Sequence, residues 1–178
     1  MENKVLVVVD MQNDFIDGSL GTKEAQVLVP RLAEYIRNWK GSVILTQDTH
    51  RKNYLETLEG RKLPVPHCIY QSEGWQLNEE IADAVEELGD AVICCEPKMT
   101  FGDLEMPEHI EEAVGVPDAI EVTGLCTGIC VISAVVILRA AFPNMPITVN
   151  AAYTECVTPE TKKTALEAMK LLQVDVVE

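Results

Sequence analysis

Val5-Leu6-Val7-Val8-Val9 is apolar at every position and ends on Asp10. A strand with one face in water would alternate, so an unbroken β-branched run implies a strand covered on both faces. Five more short runs of this kind follow, at 42–46, 91–95, 119–123, 147–150 and 174–177. The segments between them are amphipathic. Leu28, Leu32, Ile36 and Trp39 share one helical face, Leu77, Ile81, Val85 and Leu88 a second, and Ala165, Met169 and Leu172 a third. Residues 129–141 are apolar nearly all round, which predicts the most buried helix. This alternation predicts a three-layer α/β/α fold with a central six-stranded, mostly parallel sheet, Rossmann-like, with right-handed crossovers. The 178 residues suit one such domain over 1–178.

Apolar residues make up 47% of the chain and charged residues 24%, with 10 Gly and 9 Pro, a globular rather than a disordered composition. Lys and Arg number 14 against 29 Asp and Glu, a formal charge of −15. That balance argues against a nucleic-acid partner, which needs a basic face, and against a membrane surface, whose anionic headgroups would repel the chain. The first apolar run is too short for a signal-peptide core, and no run approaches the ~20 residues that span a bilayer. The six cysteines, at 68, 94, 95, 126, 130 and 156, lack the spacing of a secreted disulfide framework. The expectation is a cytoplasmic protein with reduced thiols.

In an open parallel sheet, ligands bind beyond the carboxyl ends of the strands. Those positions hold Asp10 after the first run, Asp48 and His50 after the second, Lys98 after the third, and Gly124-Leu125-Cys126-Thr127-Gly128-Ile129-Cys130 after the fourth. The fifth run ends at Asn150, with nothing chemical beyond it. An acid, a metal-competent Asp-x-His, a lysine and a cysteine loop thus converge on one rim. Lys98 is the only Lys or Arg between Lys62 and Arg139. It reads either as a surface lysine balancing nearby glutamates or as a cation at the rim, where it would stabilise a thiolate by opposite charge.

If Thr127 caps the helix that follows it, Cys130 falls in the first helical turn, where the dipole is positive and unpaired amides would hold an oxyanion. A small buried hydrophobe is the commoner fate of a free cysteine, and Cys68, Cys94, Cys95 and Cys156 fit that role. Spacing alone does not choose between Cys126 and Cys130. Asp10 reads as a turn former or, beside a thiol, as a general base. Phe15 reads as core or as a ring stacked on a planar ligand. Asp48-Thr49-His50 puts a carboxylate and an imidazole two residues apart, and the long irregular stretch 51–76 adds Glu56, Glu59 and His67. Two His with two carboxylates make an N/O site for Zn, Mn or Fe, although ordinary hydrogen-bonded loop residues would look the same. His109, in an acidic segment, reads as a surface residue.

Three of these segments together resemble the isochorismatase-like cysteine hydrolases and, within them, the nicotinamidase/pyrazinamidase group. They are Asp10-Met11-Gln12-Asn13-Asp14-Phe15, Lys98-Met99-Thr100-Phe101-Gly102 and Gly124-Leu125-Cys126-Thr127-Gly128-Ile129-Cys130-Val131, in family order across the chain. The resemblance implies an isochorismatase-like hydrolase fold and an amidohydrolase acting on linear C–N amide bonds. It implies Cys130 as nucleophile, Asp10 as proton-transfer group and Lys98 as their electrostatic partner. It also implies a non-proline cis peptide between Cys126 and Thr127, an oxyanion hole from the backbone amides of Cys126 and Cys130, and substrate contacts from Phe15 and Thr127. Asp48, His50 and His67 would be ligands of a divalent transition metal (Zn, Mn or Fe), with Glu59 preferred to Glu56 as the fourth. Apolar helices that pair subunits would make a homo-oligomer.

The chain departs from the family pattern at three places. Gly128 stands where an Asp is usual. Leu63-Pro64-Val65-Pro66-His67 lacks the aromatic residue that would sandwich a pyridine ring, although Trp75 lies nearby in sequence. Gln71-Ser72 replaces a Gly-Thr pair. These departures bear on the substrate more than on the chemistry. The expected reaction is hydrolysis of a small carboxamide, nicotinamide to nicotinate and ammonia, through a Cys130 thioester in NAD metabolism. The same resemblance admits isochorismate vinyl-ether hydrolysis without metal, hydrolysis of carbamoyl or ureido compounds, or an inactive ligand-binding member. Asp10, Lys98 and Cys130 together argue against the last. A phosphoacceptor signalling domain would carry its lysine after the fifth strand, and here Lys98 follows the third.

Overall fold

The run that opens the chain becomes the middle of the sheet. In the structure, a computed structural model describing residues 3–178, β1 (Lys4–Val9) pairs with β2 (Ser42–Asp48) on one side and β4 (Ala119–Leu125) on the other. Outside these lie β3 (Val92–Lys98), β5 (Ile147–Glu155) and β6 (Asp175–Val177), giving the order β3-β2-β1-β4-β5-β6 with every pair parallel. The connections carry α1 (Asn13–Ile16), α2 (Lys23–Asn38), α3 (Leu58–Lys62), α4 (Glu79–Glu86), α5 (Met106–Val114), α6 (Ile132–Ala141) and α7 (Pro159–Leu171).

Both faces of β1 are dry, which is why its sequence does not alternate. Val5, Val7 and Val9 pack into one layer with Met106, Ile110, Leu138 and Met169 from α5, α6 and α7. Leu6 and Val8 pack into the other with Leu28, Leu32, Ile36 and Ile81 from α2 and α4. None of these is more than 1% exposed. Burial of one such side chain contributes about 1.5–3 kcal/mol. Thr22 starts α2 by accepting from the Ala25 amide at 3.0 Å, and Thr158 starts α7 through a reciprocal capping box with Thr161.

The chain runs outward from β1 to β3, then returns beside β1 to form β4, so the strand order reverses between β1 and β4. Such a reversal opens a crevice at the carboxyl ends of the two strands. Gly124 lets β4 approach closely there: its φ is +103°, and a Cβ would collide with the Val9 backbone.

Three expectations need correction. First, the strands outlast their β-branched runs: β2 reaches Asp48, β3 Lys98 and β5 Glu155, with Asp48 opposite Lys98 and Leu125 opposite Glu155 in the ladders. Backbone pairing is indifferent to side-chain polarity, so the polar strand tips remain in the sheet. Pro97 fits within β3 because β3 is an edge strand. Second, β5 does not end at Asn150, and its extension carries Thr154 and Cys156 to the rim. Third, the segment 129–141 is not the most buried helix. Ile129 and Val136 are 39% and 48% exposed, because the sheet covers only one side of α6. No helix among the described residues is long and apolar enough to cross a membrane.

Candidate active site

Asp10 follows β1 in a left-handed conformation, φ 48°, which turns its fully buried side chain into the crevice. Its Oδ1 accepts from the Thr46 hydroxyl at 2.7 Å, and its Oδ2 lies 2.7 Å from Lys98 Nζ. Lys98 starts from the sheet edge, so its long side chain must cross β2 to arrive. On the way it stays 3.6 Å from Asp48 Oδ1, and at its end Nζ donates to Cys130 Sγ at 3.6 Å. Residues from the first, third and fourth strand tips therefore meet at one ammonium.

Cys130 lies in a single π-helical turn, Thr127–Val131, that leads into α6. Thr127 does not cap this turn, since Cys126 holds the capping position without a side-chain bond. Thr127 is instead fully buried, with its hydroxyl 2.9 Å from that of Thr154, which in turn donates to Gly124 O. That leaves Thr127 behind the cavity wall and not among the residues lining it. The cis peptide is also displaced by one residue from its expected place, to Leu125–Cys126.

The electrostatics correct one further idea. The Cys130 thiol is held well above its ordinary value, first by burial and then by the charge of Asp10, both outweighing the lowering effect of Lys98. The thiol is thus protonated at rest, and an acceptor must remove its proton. Burial also raises Asp10 above the usual carboxylate range despite Lys98, with Asp48 adding to the rise, which makes it a stronger base than an ordinary aspartate. Burial pulls Lys98 down, yet Asp10, Cys130 and Asp48 together raise it, so the ammonium stays charged.

Asp48 behaves in the opposite way. Burial would raise it, but His50, His67 and Lys98 hold it well below the usual range. Its Oδ2 lies 2.8 Å from His50 Nε2 and 3.4 Å from His67 Nε2, and Glu59 Oε1 lies 3.6 and 3.8 Å from the same two nitrogens. The donor atoms of Asp48, His50 and His67 all lie within 4.8 Å of one another. His50 Nε2 is buried without a hydrogen bond, although a carboxylate oxygen is near, so its in-plane direction points elsewhere. His67 Nδ1 bonds Val65 O at 2.8 Å, which leaves its Nε2 lone pair free to face the same point. Two nitrogens and two oxygens around one point suit a zinc-like cation. Glu59, not Glu56, joins this group. The irregular stretch that carries it holds α3, started by Thr57 accepting from the Gly60 amide at 2.9 Å.

Gln12 was not singled out from the sequence, yet it fixes this half of the site. Its Nε2 donates to Asp48 O at 2.9 Å and Trp75 O at 2.8 Å, and its Oε1 accepts from the Asp48 amide at 2.7 Å. Trp75 is spent on the same task, donating from Nε1 to Thr49 Oγ1 at 2.9 Å, so it does not sandwich a ligand. The only signal for Gln12 was its place beside Asp10.

Both groups open onto a mainly apolar cavity of about 280 Å³. Phe15, Leu63, Phe101 and Ile129 form its walls, and Asp48, Glu59, His67, Cys126, Cys130 and Cys156 reach it. This is the low end of the size range for small-molecule pockets and suits a single-ring ligand. Phe15 tilts against His67 with ring centroids 5.5 Å apart. Phe101, from the loop after Lys98, supplies the second aromatic wall that residues 63–67 lack. Cys156, read from sequence as inert, is drawn down to about 5 by the neighbouring Cys126 thiol, helped by the Thr161 hydroxyl and the amides of Gly128 and Val157.

A family model described as the isochorismatase domain matches residues 4–178. Among solved structures, a nicotinamidase/pyrazinamidase from Bacillus subtilis superposes with a TM-score of 0.85 at 20% identity, over 99% of this chain and 100% of that one. A pyrazinamidase of Pyrococcus horikoshii in complex with zinc gives 0.75 at 24% identity, over 99% of each chain. The yeast nicotinamidase bound to the inhibitor nicotinaldehyde gives 0.80 at 21% identity, over 98% and 99%. A search of curated sequences gave no match.

Proposed function

From the premise that this chain belongs to the isochorismatase family, we propose that it is a cysteine amidohydrolase that cleaves a small carboxamide, with nicotinamide as the substrate. The observation that carries this reading is the ammonium of Lys98, 2.7 Å from Asp10 and 3.6 Å from the Cys130 sulfur. The Asp48, His50, His67 and Glu59 group favours the metal-bearing branch of the family over metal-free vinyl-ether hydrolysis.

Asp10 takes the Cys130 proton, and the thiolate attacks the amide carbon. The carbonyl π pair moves onto oxygen, where the backbone amides of Cys126 and Cys130 receive the charge. Asp10 then gives its proton to the leaving nitrogen, ammonia departs, and a thioester remains on Cys130. Asp10 removes a proton from water, the hydroxide adds to the thioester, and the carboxylic acid leaves as the sulfur regains a proton. Lys98 holds Asp10 in place throughout and keeps a positive charge beside the sulfur as it ionises. Phe15 and Phe101 exclude water and flank a planar ring. Asp48, His50, His67 and Glu59 would hold a divalent transition metal, which supplies a Lewis-acidic point for a ring nitrogen or a water and so orients the substrate.

Cys130→Ala should reduce ammonia release from nicotinamide by at least about 10⁴-fold, since knock-out of a covalent nucleophile removes the whole catalytic unit. Metal content and circular dichroism should be unchanged. Turnover near that of the wild type would transfer the nucleophile's role away from Cys130, with Cys156 the next thiol to examine.

A further inference from the structure

A second group of donor atoms lies outside this site, on the edge of the sheet. Cys94 and Glu96 are two residues apart on β3 and so project from the same face. That face looks onto α5, which places His109 against them. The sulfur of Cys94, a carboxylate oxygen of Glu96 and a ring nitrogen of His109 all lie within 4.8 Å of one another. Four donors around a tetrahedral zinc-like ion, at ~2.0–2.3 Å from it, would stand roughly 3.3–3.8 Å apart, so little movement separates this cluster from a ligand set.

The detail of the His109 contact points the same way. Its Nδ1 is 3.1 Å from Glu96 Oε1, yet it is buried and makes no hydrogen bond. An imidazole nitrogen holds its proton or lone pair in the ring plane, so at this distance the ring direction misses the oxygen. His50 Nε2 shows the same relation to Asp48 Oδ2 in the first cluster, at 2.8 Å. The surrounding sequence offers little neutralising charge. From 90 to 112 it holds Asp90, Glu96, Asp103, Glu105, Glu108, Glu111 and Glu112, against Lys98 alone, which is committed to Asp10.

We propose that Cys94, Glu96 and His109 form a second metal site that takes a zinc-class divalent cation, with its fourth position left to water, and clamps α5 to the edge strand. One thiolate, one imidazole and one carboxylate favour a borderline cation over calcium or magnesium, which prefer oxygen alone. The clamp would sit two residues from Lys98 and would brace the segment that carries Phe101. His109 therefore is not the free surface residue its acidic surroundings suggest.

Cobalt(II) separates the two clusters, because only the second contains sulfur. Chelator-treated, reduced protein titrated with Co²⁺ should take up two equivalents, one of which brings a thiolate-to-cobalt charge-transfer band. Cys94→Ser should abolish the band, and His109→Gln should weaken that equivalent at least tenfold. The pair Asp48→Asn and His67→Ala should remove the other equivalent and leave the band in place. Cys94 is only partly buried, and if its serine variant fails to fold by circular dichroism, Glu96→Gln and His109→Gln decide instead. A single equivalent lost with His67→Ala, no thiolate band, or a band that survives Cys94→Ser would overturn the second site. Ammonia release plays no part in this readout, so the proposed amidase reaction stands or falls separately.

Discussion

Lys98 divides the rim into two halves that treat a buried carboxylate in opposite ways. On one side Asp10 has a single hydroxyl, the ammonium and a thiol for company, and burial prevails, so its affinity for a proton rises. On the other side Asp48 faces the same ammonium together with two imidazoles, and its affinity for a proton falls. Both are aspartates at adjacent strand tips, and both are almost wholly enclosed. What separates them is company: Asp48 has His50 and His67 beside it as well as Lys98 to lower it, whereas Asp10 has Lys98 and Thr46 alone. An acid held above its usual range can pick up and return a proton, whereas one held below it remains an anion fit for a cation. Under the proposed mechanism, the difference between the halves is a division of labour between base and ligand.

The largest test replaces the base. Asp10→Asn should lower kcat by roughly 10²–10⁴-fold, the usual contribution of a positioned proton acceptor, while His67 and Asp48 still bind metal. In the wild type, activity should rise with pH through an acid limb that lies above the ordinary aspartate value of 3.8, because Asp10 must lose its proton before it can take that of Cys130. The asparagine variant should lack this limb. An unchanged limb would assign it to another group and dissolve the contrast.

Lys98→Gln acts on both halves together. It withdraws the main force lowering Asp10, so the acid limb should move to higher pH. It also leaves two buried carboxylates without their shared cation, and loss of one partner from a buried ion pair costs about 3–5 kcal/mol, to be read from chemical denaturation. A limb that stays in place would show that Lys98 does not set the proton affinity of Asp10. His67→Ala should touch only the other half. Metal affinity should fall at least the ~10–100-fold that even outer partners of ligands cost, measured by metal analysis after dialysis, with the acid limb little moved. A limb displaced as far as in Lys98→Gln would mean that the halves are not separable.

The sequence carried the sheet because β-branched runs report burial on both faces, and it carried the convergence of Asp10, Lys98 and Cys130 because each stands at a strand tip or in the loop just beyond one. What it did not carry depends on pairing across the sheet. The continuation of β5 to Glu155 follows from the ladder that joins Leu125 to Glu155, so Cys156 looked like an ordinary core cysteine until that ladder placed it in the cavity. Gln12 was not singled out because its three bonds go to Asp48 and Trp75, both distant along the chain. The state of Cys130 was also out of reach. The first helical turn and a nearby lysine suggest a thiolate, but the burial that overrides them is a property of the packed interior.

The smallest effect examines how the Asp10 half is tuned. Thr46 donates its hydroxyl to Asp10 Oδ1 at 2.7 Å, and this bond opposes the rise caused by burial. Thr46→Val keeps the shape and the β-branch but removes the donor. A hydrogen bond to a charged group contributes about 1.5–3 kcal/mol, so the acid limb should move upward by about one to two pH units, with activity on its plateau little changed. Thr46→Ser, which restores a hydroxyl, should return the limb to its wild-type position. Because the Thr46 hydroxyl bonds Asp10, metal content should be the same in all three proteins. If the valine variant instead leaves the limb unmoved and lowers the plateau, Thr46 orients Asp10 rather than setting its proton affinity, and the opposite behaviour of the two aspartates would then rest on burial and Lys98 alone.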